Sequence, residues 1–194
     1  MEIVEDSSRN RSWAALAGLA PLLVFSNGLS IGLVLGITFL VAHSAAAAVA
    51  LLLPVRLGRS NIFFFSVLAA AVIVSMAASV VRLLDPFLFE TAYRSMFLVT
   101  LTIPVLGASI MPVSMDEREH AIEDLVRGLG FALAIMSLGA VREFLSSGII
   151  SVNSRAPSSS LLPFAAQPAG AFIIIGLVAA GFRAIMRAAK RSEL

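Results

Sequence analysis

Among the ionisable side chains within apolar stretches of this sequence, His43, Arg142 and Glu143 are candidates for chemistry. An ionisable residue within a membrane span is costly and often marks an ion or proton path. His43 could relay protons near neutral pH, but we favour the simpler interpretation of a neutral imidazole bonded to a neighbouring helix. Arg142 and Glu143 are adjacent, so on a helix they point about 100° apart and do not pair across one turn. We expect them to anchor their helix at the outer membrane interface, with a cation pathway as the alternative.

Two short apolar segments, each interrupted by a proline, resemble each other. The first contains Gly18 and Pro21, and the second contains Pro104 and Gly107. Each segment leads into a long apolar stretch that contains glycines. Paired short, interrupted segments in the two halves of a membrane protein point to a site at the bilayer midplane. We therefore predict half-helices at Pro21 and Pro104, and we add these four residues to the candidates for an ion path.

The composition places the chain in a membrane. Of its 194 residues, 59% are hydrophobic and 13% are charged, and the mean hydropathy is +0.96, which leaves too little polar surface for a soluble domain. The basic residues stand at the ends of apolar segments, a pattern that argues against nucleic-acid binding. The sequence contains no cysteine, so it cannot form a disulfide or a thiolate site for a metal or an iron–sulfur cluster. It has no phosphate loop, no metal-binding histidine pair and no nucleophile beside a base, so we expect a non-catalytic chain.

Apolar runs close to the length of about 20 residues that crosses a bilayer predict six spans. The predicted spans are residues 13–26, 28–53, 61–83, 93–111, 125–145 and 169–188. The expected fold is therefore an all-α membrane protein with six transmembrane helices, in two inverted three-helix repeats at roughly 13–83 and 93–188. Spans one and four are the short half-helices. Residues 1–12 form a cytoplasmic N-terminal segment, residues 13–190 a single membrane domain and residues 191–194 a C-terminal tail.

The distribution of basic residues gives the orientation. Six spans put both termini and the loops after spans two and four on one side of the membrane. The basic residues on that side are Arg9, Arg11, Arg56, Arg59, Arg118, Arg183, Arg187, Lys190 and Arg191, and those on the other side are Arg82, Arg94, Arg142 and Arg155. The positive-inside rule then makes both termini cytoplasmic in a multi-pass protein of the bacterial inner membrane. A cleaved signal peptide ending near Ser26 is the alternative for the N-terminus, but the acidic residues Glu2, Glu5 and Asp6 argue against it.

Four stretches resemble the membrane subunits of the Rnf complex and of the Na⁺-translocating NADH:quinone oxidoreductase (Nqr), on the RnfE/NqrD-like branch. They are residues 18–23 (Gly-Leu-Ala-Pro-Leu-Leu), 128–133, 138–143 and 168–172. The resemblance covers roughly residues 12 to 190, and the stretch from Gly128 to Glu143 is its most distinctive part. It implies two homologous six-span subunits that hold a [2Fe–2S] cluster between cysteines of their half-helices. Such a complex passes electrons between flavin-bearing partners and moves Na⁺ or H⁺.

The sequence departs from this family at the expected cluster ligands, where it has Ala20 and Ile103. Neither side chain can ligate iron. The resemblance thus implies that this chain is a membrane subunit of an Rnf/Nqr-type electron-transport complex. The subunit itself would hold no cluster, and flavin and iron–sulfur groups would be present only in partner subunits. Its expected partners are a homologous six-span subunit, other subunits of a redox complex and membrane lipids. Two alternatives stay open, a small inverted-repeat transporter and a structural paralogue that stabilises other membrane subunits.

Overall fold

The computed structural model describes residues 25–53, 58–108, 117–148, 150 and 162–191, and every regular element within them is a helix. The helices are α1 (Leu29–Leu52), α2 (Arg59–Leu84), α3 (Pro86–Ala108), α4 (Glu117–Ser147), α5 (Pro163–Ala166) and α6 (Pro168–Arg191). Three of them contain apolar stretches long enough to cross a membrane: Leu29–Leu52, Ser60–Leu84 and Leu125–Ser147. The all-α membrane class is thereby confirmed. The six-span inverted repeat stays a prediction, and Gly18, Ala20 and Pro21 lie outside the described residues.

Helix α1 is the centre of the bundle and packs against α2, α3 and α4. Leu35, Phe39 and Ala42 of α1 are completely buried. Completely buried residues of the other three helices, among them Val74 of α2 and Ile135 of α4, complete the core around them. Because three helices surround α1, its N-terminus is fixed relative to all of them.

Helices α1 and α4 run antiparallel and approach closely through glycines. A Cβ atom built on Gly36 of α1 would lie 3.0 Å from the carbonyl oxygen of Ala132, and one built on Gly32 would lie 3.3 Å from that of Ile135. Early residues of α1 thus meet late residues of α4. Small residues let helix backbones approach in a membrane, where packing rather than hydrophobicity drives helix association. Glycines at every fourth position from Gly28 to Gly36 are the sequence signal for this contact.

Helices α2 and α3 form a hairpin with Asp85 as its single connecting residue. Oδ1 of Asp85 accepts hydrogen bonds from the backbone N–H groups of Phe87 and Leu88, each at 3.0 Å. Such an N-cap followed by proline is a strong helix start. Helix α3 therefore begins at Pro86, whereas the sequence predicted that span four begins at residue 93. The helix has 23 residues and continues through Pro104 to Ala108, which is longer than the half-helix expected there.

Candidate functional site

Two breaks in the helical chain meet at one place in the bundle. At the first break, Phe25 is helical, Ser26 and Asn27 are not, and α1 begins at Leu29. At the second break, Gln167 separates α5 from α6. A helix break leaves carbonyl oxygens at the end of one helix and N–H groups at the start of the next without intrahelical partners. In hydrocarbon such groups must find partners inside the protein, because each unsatisfied one costs several kcal/mol.

Arg142 of α4 supplies partners to both breaks. Its side chain is completely buried. Nη1 donates to the carbonyl oxygen of Ser26 at 2.9 Å, Nε to that of Ala165 at 3.1 Å, and Nη2 to that of Gln167 at 3.3 Å. The planar guanidinium has five N–H donors in a fixed fork, which suits it to bridge several acceptors. A cation is also favoured at the carbonyl end of a helix. One side chain therefore joins the two breaks.

Glu143 acts on the other side of the first break. Its Oε2 accepts a hydrogen bond of 2.7 Å from the backbone N–H of Leu29, the first residue of α1. Gly28 occupies the N-cap position and has no side chain to cap the helix, so a neighbouring helix provides the cap. A carboxylate at a helix N-terminus also interacts favourably with the helix dipole. Arg142 and Glu143 diverge on α4, as expected, and thereby contact the carbonyl and the amide side of the same break.

The first break lies directly on the surface of α4. Ser26 is completely buried, and its Oγ donates to the carbonyl oxygen of Ile135 at 3.2 Å. A Cβ atom on Gly139 would lie 2.6 Å from both the Ser26 Oγ and the Gly28 carbonyl oxygen. The second break is equally close, since a Cβ atom on Gly170 would collide with the Phe164 carbonyl oxygen. Each break is thus packed against a glycine.

His43 lies elsewhere, about 21 Å along α1 from Leu29 at 1.5 Å per residue. It is buried, and its ring stacks on Phe39 with centroids 5.6 Å apart. It also faces Gly128 of α4, where a Cβ atom would lie 2.5 Å from His43 Cδ2. The imidazole therefore fills the space between α1 and α4 and does not join the Arg142 site.

Among the described residues that the sequence singled out, the structure brings together Arg142 and Glu143. Arg142 is completely buried and Glu143 is partly buried, and their position at the outer membrane interface stays a prediction. Of Ile103, Pro104 and Gly107, only the helical backbone is described. Within the described part of the chain, no group of three or more potential metal ligands comes together. Ser26, Gly139 and Gly170 were not predicted from the sequence, although the Asn27-Gly28 dipeptide beside Ser26 is a recognised turn signal.

Residues 5–179 match the family model described as "Rnf-Nqr subunit, membrane protein", so the match includes nearly all of the described helices. The chain belongs to the Rnf-Nqr family. This confirms the resemblance seen in four short stretches, and Ser26, Arg142 and Glu143 all lie inside the matched region of this Rnf-Nqr protein.

Two similar curated proteins come from Pseudomonas aeruginosa, one from strain LESB58 and one from strain PAO1. Both are named as the E-type subunit of an ion-translocating oxidoreductase complex. Each is 29% identical to the Rnf-Nqr chain over 195 aligned positions, which cover 89% of this chain. The alignments cover 82% of the LESB58 protein and 81% of the PAO1 protein. The similarity therefore extends along most of each molecule.

Proposed function

We propose that this Rnf-Nqr protein is a membrane subunit of an ion-translocating oxidoreductase complex, which couples electron transfer to the movement of Na⁺ or H⁺. The observation that carries the proposal is the family match over residues 5–179. The names of the two Pseudomonas relatives support it. Three helices with the length and composition of membrane spans agree with a place in the bilayer. We place the chain in the bacterial inner membrane with both termini in the cytoplasm.

The residues of this chain do not fit the [2Fe–2S] cluster that the family resemblance implies. Cysteine thiolates are the usual ligands of such clusters, with histidine in some centres. The chain contains no cysteine, and Ala20 and Ile103 carry no donor atom. Our proposal is therefore that electrons pass through partner subunits, which hold the flavin and iron–sulfur groups, while this chain is a non-catalytic part of the membrane assembly.

The chain's own contribution in this proposal is a rigid framework for a neighbouring membrane subunit. Arg142 and Glu143 hold the helix ends at Ser26, Leu29 and Gln167 in one arrangement. Fixed helix ends keep the bundle in one conformation, so that its outer surface is constant for a partner. We infer that the partner is a homologous six-span subunit, as the family resemblance implies.

Purification from native membranes tests the proposal. A chain tagged at its C-terminus, extracted in mild detergent, is expected to retain a homologous membrane subunit and flavin-bearing subunits. The chain separated from them is expected to contain neither iron nor acid-labile sulfide. A homodimer without flavin-bearing partners would favour a small transporter, and partners without redox groups would favour a structural paralogue. Iron and sulfide in the isolated chain would contradict the cluster-free assignment.

A further inference from the structure

The exposed faces of α2 and α3 differ in chemistry although the two helices pack side by side. On α2, one row of exposed side chains at four-residue spacing consists of Phe64, Leu68, Val72, Met76 and Val80. This stripe is entirely apolar. Lipid chains are a suitable environment for such a surface, because it presents nothing that needs a polar partner.

The exposed face of α3 contains two opposite charges. Phe87, Phe97 and Leu101 are exposed at helical spacing, and Glu90 and Arg94, one turn apart between them, are exposed as well. The guanidinium lies over the ring of the preceding Tyr93, with Cζ 5.7 Å from the ring centroid, and Nε donates to the Tyr93 Oη at 3.1 Å. The arginine is therefore held at the helix surface beside an aromatic ring.

If α2 spans the membrane, the helix lengths put the backbone of Arg94 about 3–12 Å inside the hydrocarbon boundary at the hairpin turn. Helix α2 has 26 residues and is therefore about 39 Å long, roughly 9 Å longer than the hydrocarbon core. Arg94 lies eight residues after Pro86, about 12 Å along α3 from the hairpin turn. Even if all the excess length of α2 extended beyond the membrane at this turn, the backbone of Arg94 would still lie in the hydrocarbon. Ionisable residues within membrane spans almost always face protein or a water-filled cavity, although a long side chain near a helix end can extend to the interface.

We propose that the face formed by Phe87, Glu90, Arg94, Phe97 and Leu101 of α3 docks a helix of another membrane subunit. That helix carries a carboxylate opposite Arg94 and a cationic side chain opposite Glu90. Aromatic residues and arginine are enriched in protein interfaces, and complementary charges fix the register of the contact. This inference rests on the proposed function in that it names the surface through which the partner subunit binds.

Site-specific photo-crosslinking in native membranes tests the docking surface. A benzophenone amino acid at Phe97 probes the α3 face, and the same probe at Met76 on α2, which is exposed at a more similar distance from the hairpin turn, is the matched control. We expect the Phe97 probe to form an adduct with one defined helix of a different membrane subunit, identified by mass spectrometry, and the Met76 probe to form only lipid adducts. In the protein that carries the probe at position 97, Arg94→Glu should lower the adduct yield at least tenfold. Arg82→Glu, which reverses an exposed charge of α2 near the same turn, should leave the yield unchanged.

The remaining outcomes separate this inference from the proposed function. Lipid adducts alone at Phe97, or an adduct with a second copy of this chain, would overturn the docking surface even if flavin-bearing subunits still co-purify. A yield that Arg94→Glu and Glu90→Lys both leave unchanged would overturn the role of the charges. An adduct with a charge-complementary helix of a membrane protein, in a preparation that lacks flavin-bearing subunits, would support the surface and contradict the redox assignment. Restoration of the yield by reversing the facing charge on the partner would support the proposed pairing.

Discussion

At the scale of single residues, Arg142 joins three separate backbone carbonyl groups through one side chain. It is buried among the carbonyl groups of both helix breaks. Without the guanidinium, the carbonyl oxygens of Ser26 and Ala165 lose this donor, and each group left buried and unpaired costs about 1–3 kcal/mol. The carbonyl oxygen of Gln167 still accepts a hydrogen bond of 3.3 Å from the Ala171 N–H. The consequences of substitution therefore depend on how many carbonyls the new side chain still reaches.

Arg142→Lys should destabilise the protein although the charge is kept. Lysine presents a compact ammonium rather than a planar fork, so we expect at least one of the three carbonyls to lose its partner, at a cost of about 1–3 kcal/mol. Arg142→Met should lower the free energy of unfolding further, because methionine donates a hydrogen bond to none of the three carbonyl oxygens. Unfolding in detergent measures both changes. Arg82→Lys, at an exposed position, is the control and should stay within about 0.5 kcal/mol of the unmodified protein. Equal losses of stability in Arg142→Lys and Arg82→Lys would contradict the bridging role of Arg142.

Glu143 should show a graded response. Glu143→Ala removes the cap of α1 and should cost about 0.5–2 kcal/mol. Glu143→Gln keeps an acceptor oxygen but loses the charge, so a smaller loss is expected because charge-assisted hydrogen bonds are roughly twice as strong as neutral ones. Hydrogen exchange at the Leu29 amide reports on the contact directly and should accelerate in the order Glu, Gln, Ala. The same exchange rate in all three proteins would refute the capping assignment.

At the scale of elements, the sequence predicts helices well where apolar residues are uninterrupted. Spans two and three were predicted at 28–53 and 61–83, and the helices run from Leu29 to Leu52 and from Arg59 to Leu84. The start of α3 was predicted seven residues late, because a turn made by Asp85 alone leaves no polar stretch to mark it. The pairing of Arg142 with Ser26 could not be predicted, since it depends on the register between α1 and α4.

That register should be sensitive to the glycines between α1 and α4. Gly139→Ala would place a Cβ atom 2.6 Å from two atoms of the first break, and such overpacking typically costs about 1–3 kcal/mol. Gly130→Ala on the same helix meets nothing within 4 Å and should be neutral or stabilising, since alanine is the better helix former. Thermal unfolding of the two variants in the same detergent makes the comparison. If Gly130→Ala lowered the thermal stability as much as Gly139→Ala, the cause would be something other than contact with the first break.

The contact between His43 and Gly128 allows a compensation experiment. Gly128→Ala should destabilise, because its Cβ atom would lie 2.5 Å from the imidazole and would displace a ring packed between two helices. His43→Ala removes the ring, so in the double variant the new methyl group has space. We expect the double variant to be more stable than the sum of the single losses predicts, as is usual for residues in contact. Strict additivity in a double-mutant cycle would show that the clash does not limit stability.

At the scale of the whole molecule, orientation in the membrane is directly measurable because the chain contains no cysteine. Single cysteines at Arg11, Ser60 and Ser192 report on both termini and on the start of α2. Ser60 is exposed and is preferable to the neighbouring Gly58, whose φ of 78° suits glycine. The positive-inside rule predicts that an impermeant maleimide labels all three only from the cytoplasmic side. Labelling of Ser60 from the periplasm would reverse the predicted topology.

The Arg142 bridge also has a consequence for how the chain is made. Its acceptor at Ser26 precedes it by 116 residues, and its acceptors at Ala165 and Gln167 follow it by 23 and 25 residues. At about 5–20 residues per second, the ribosome adds Arg142 on the order of ten seconds after Ser26. It adds Ala165 and Gln167, the acceptors at the second break, roughly one to five seconds after Arg142. The bundle therefore reaches its final arrangement only after Gln167 has left the ribosome, so the last quarter of the chain completes a site whose first acceptor, Ser26, lies in the first seventh.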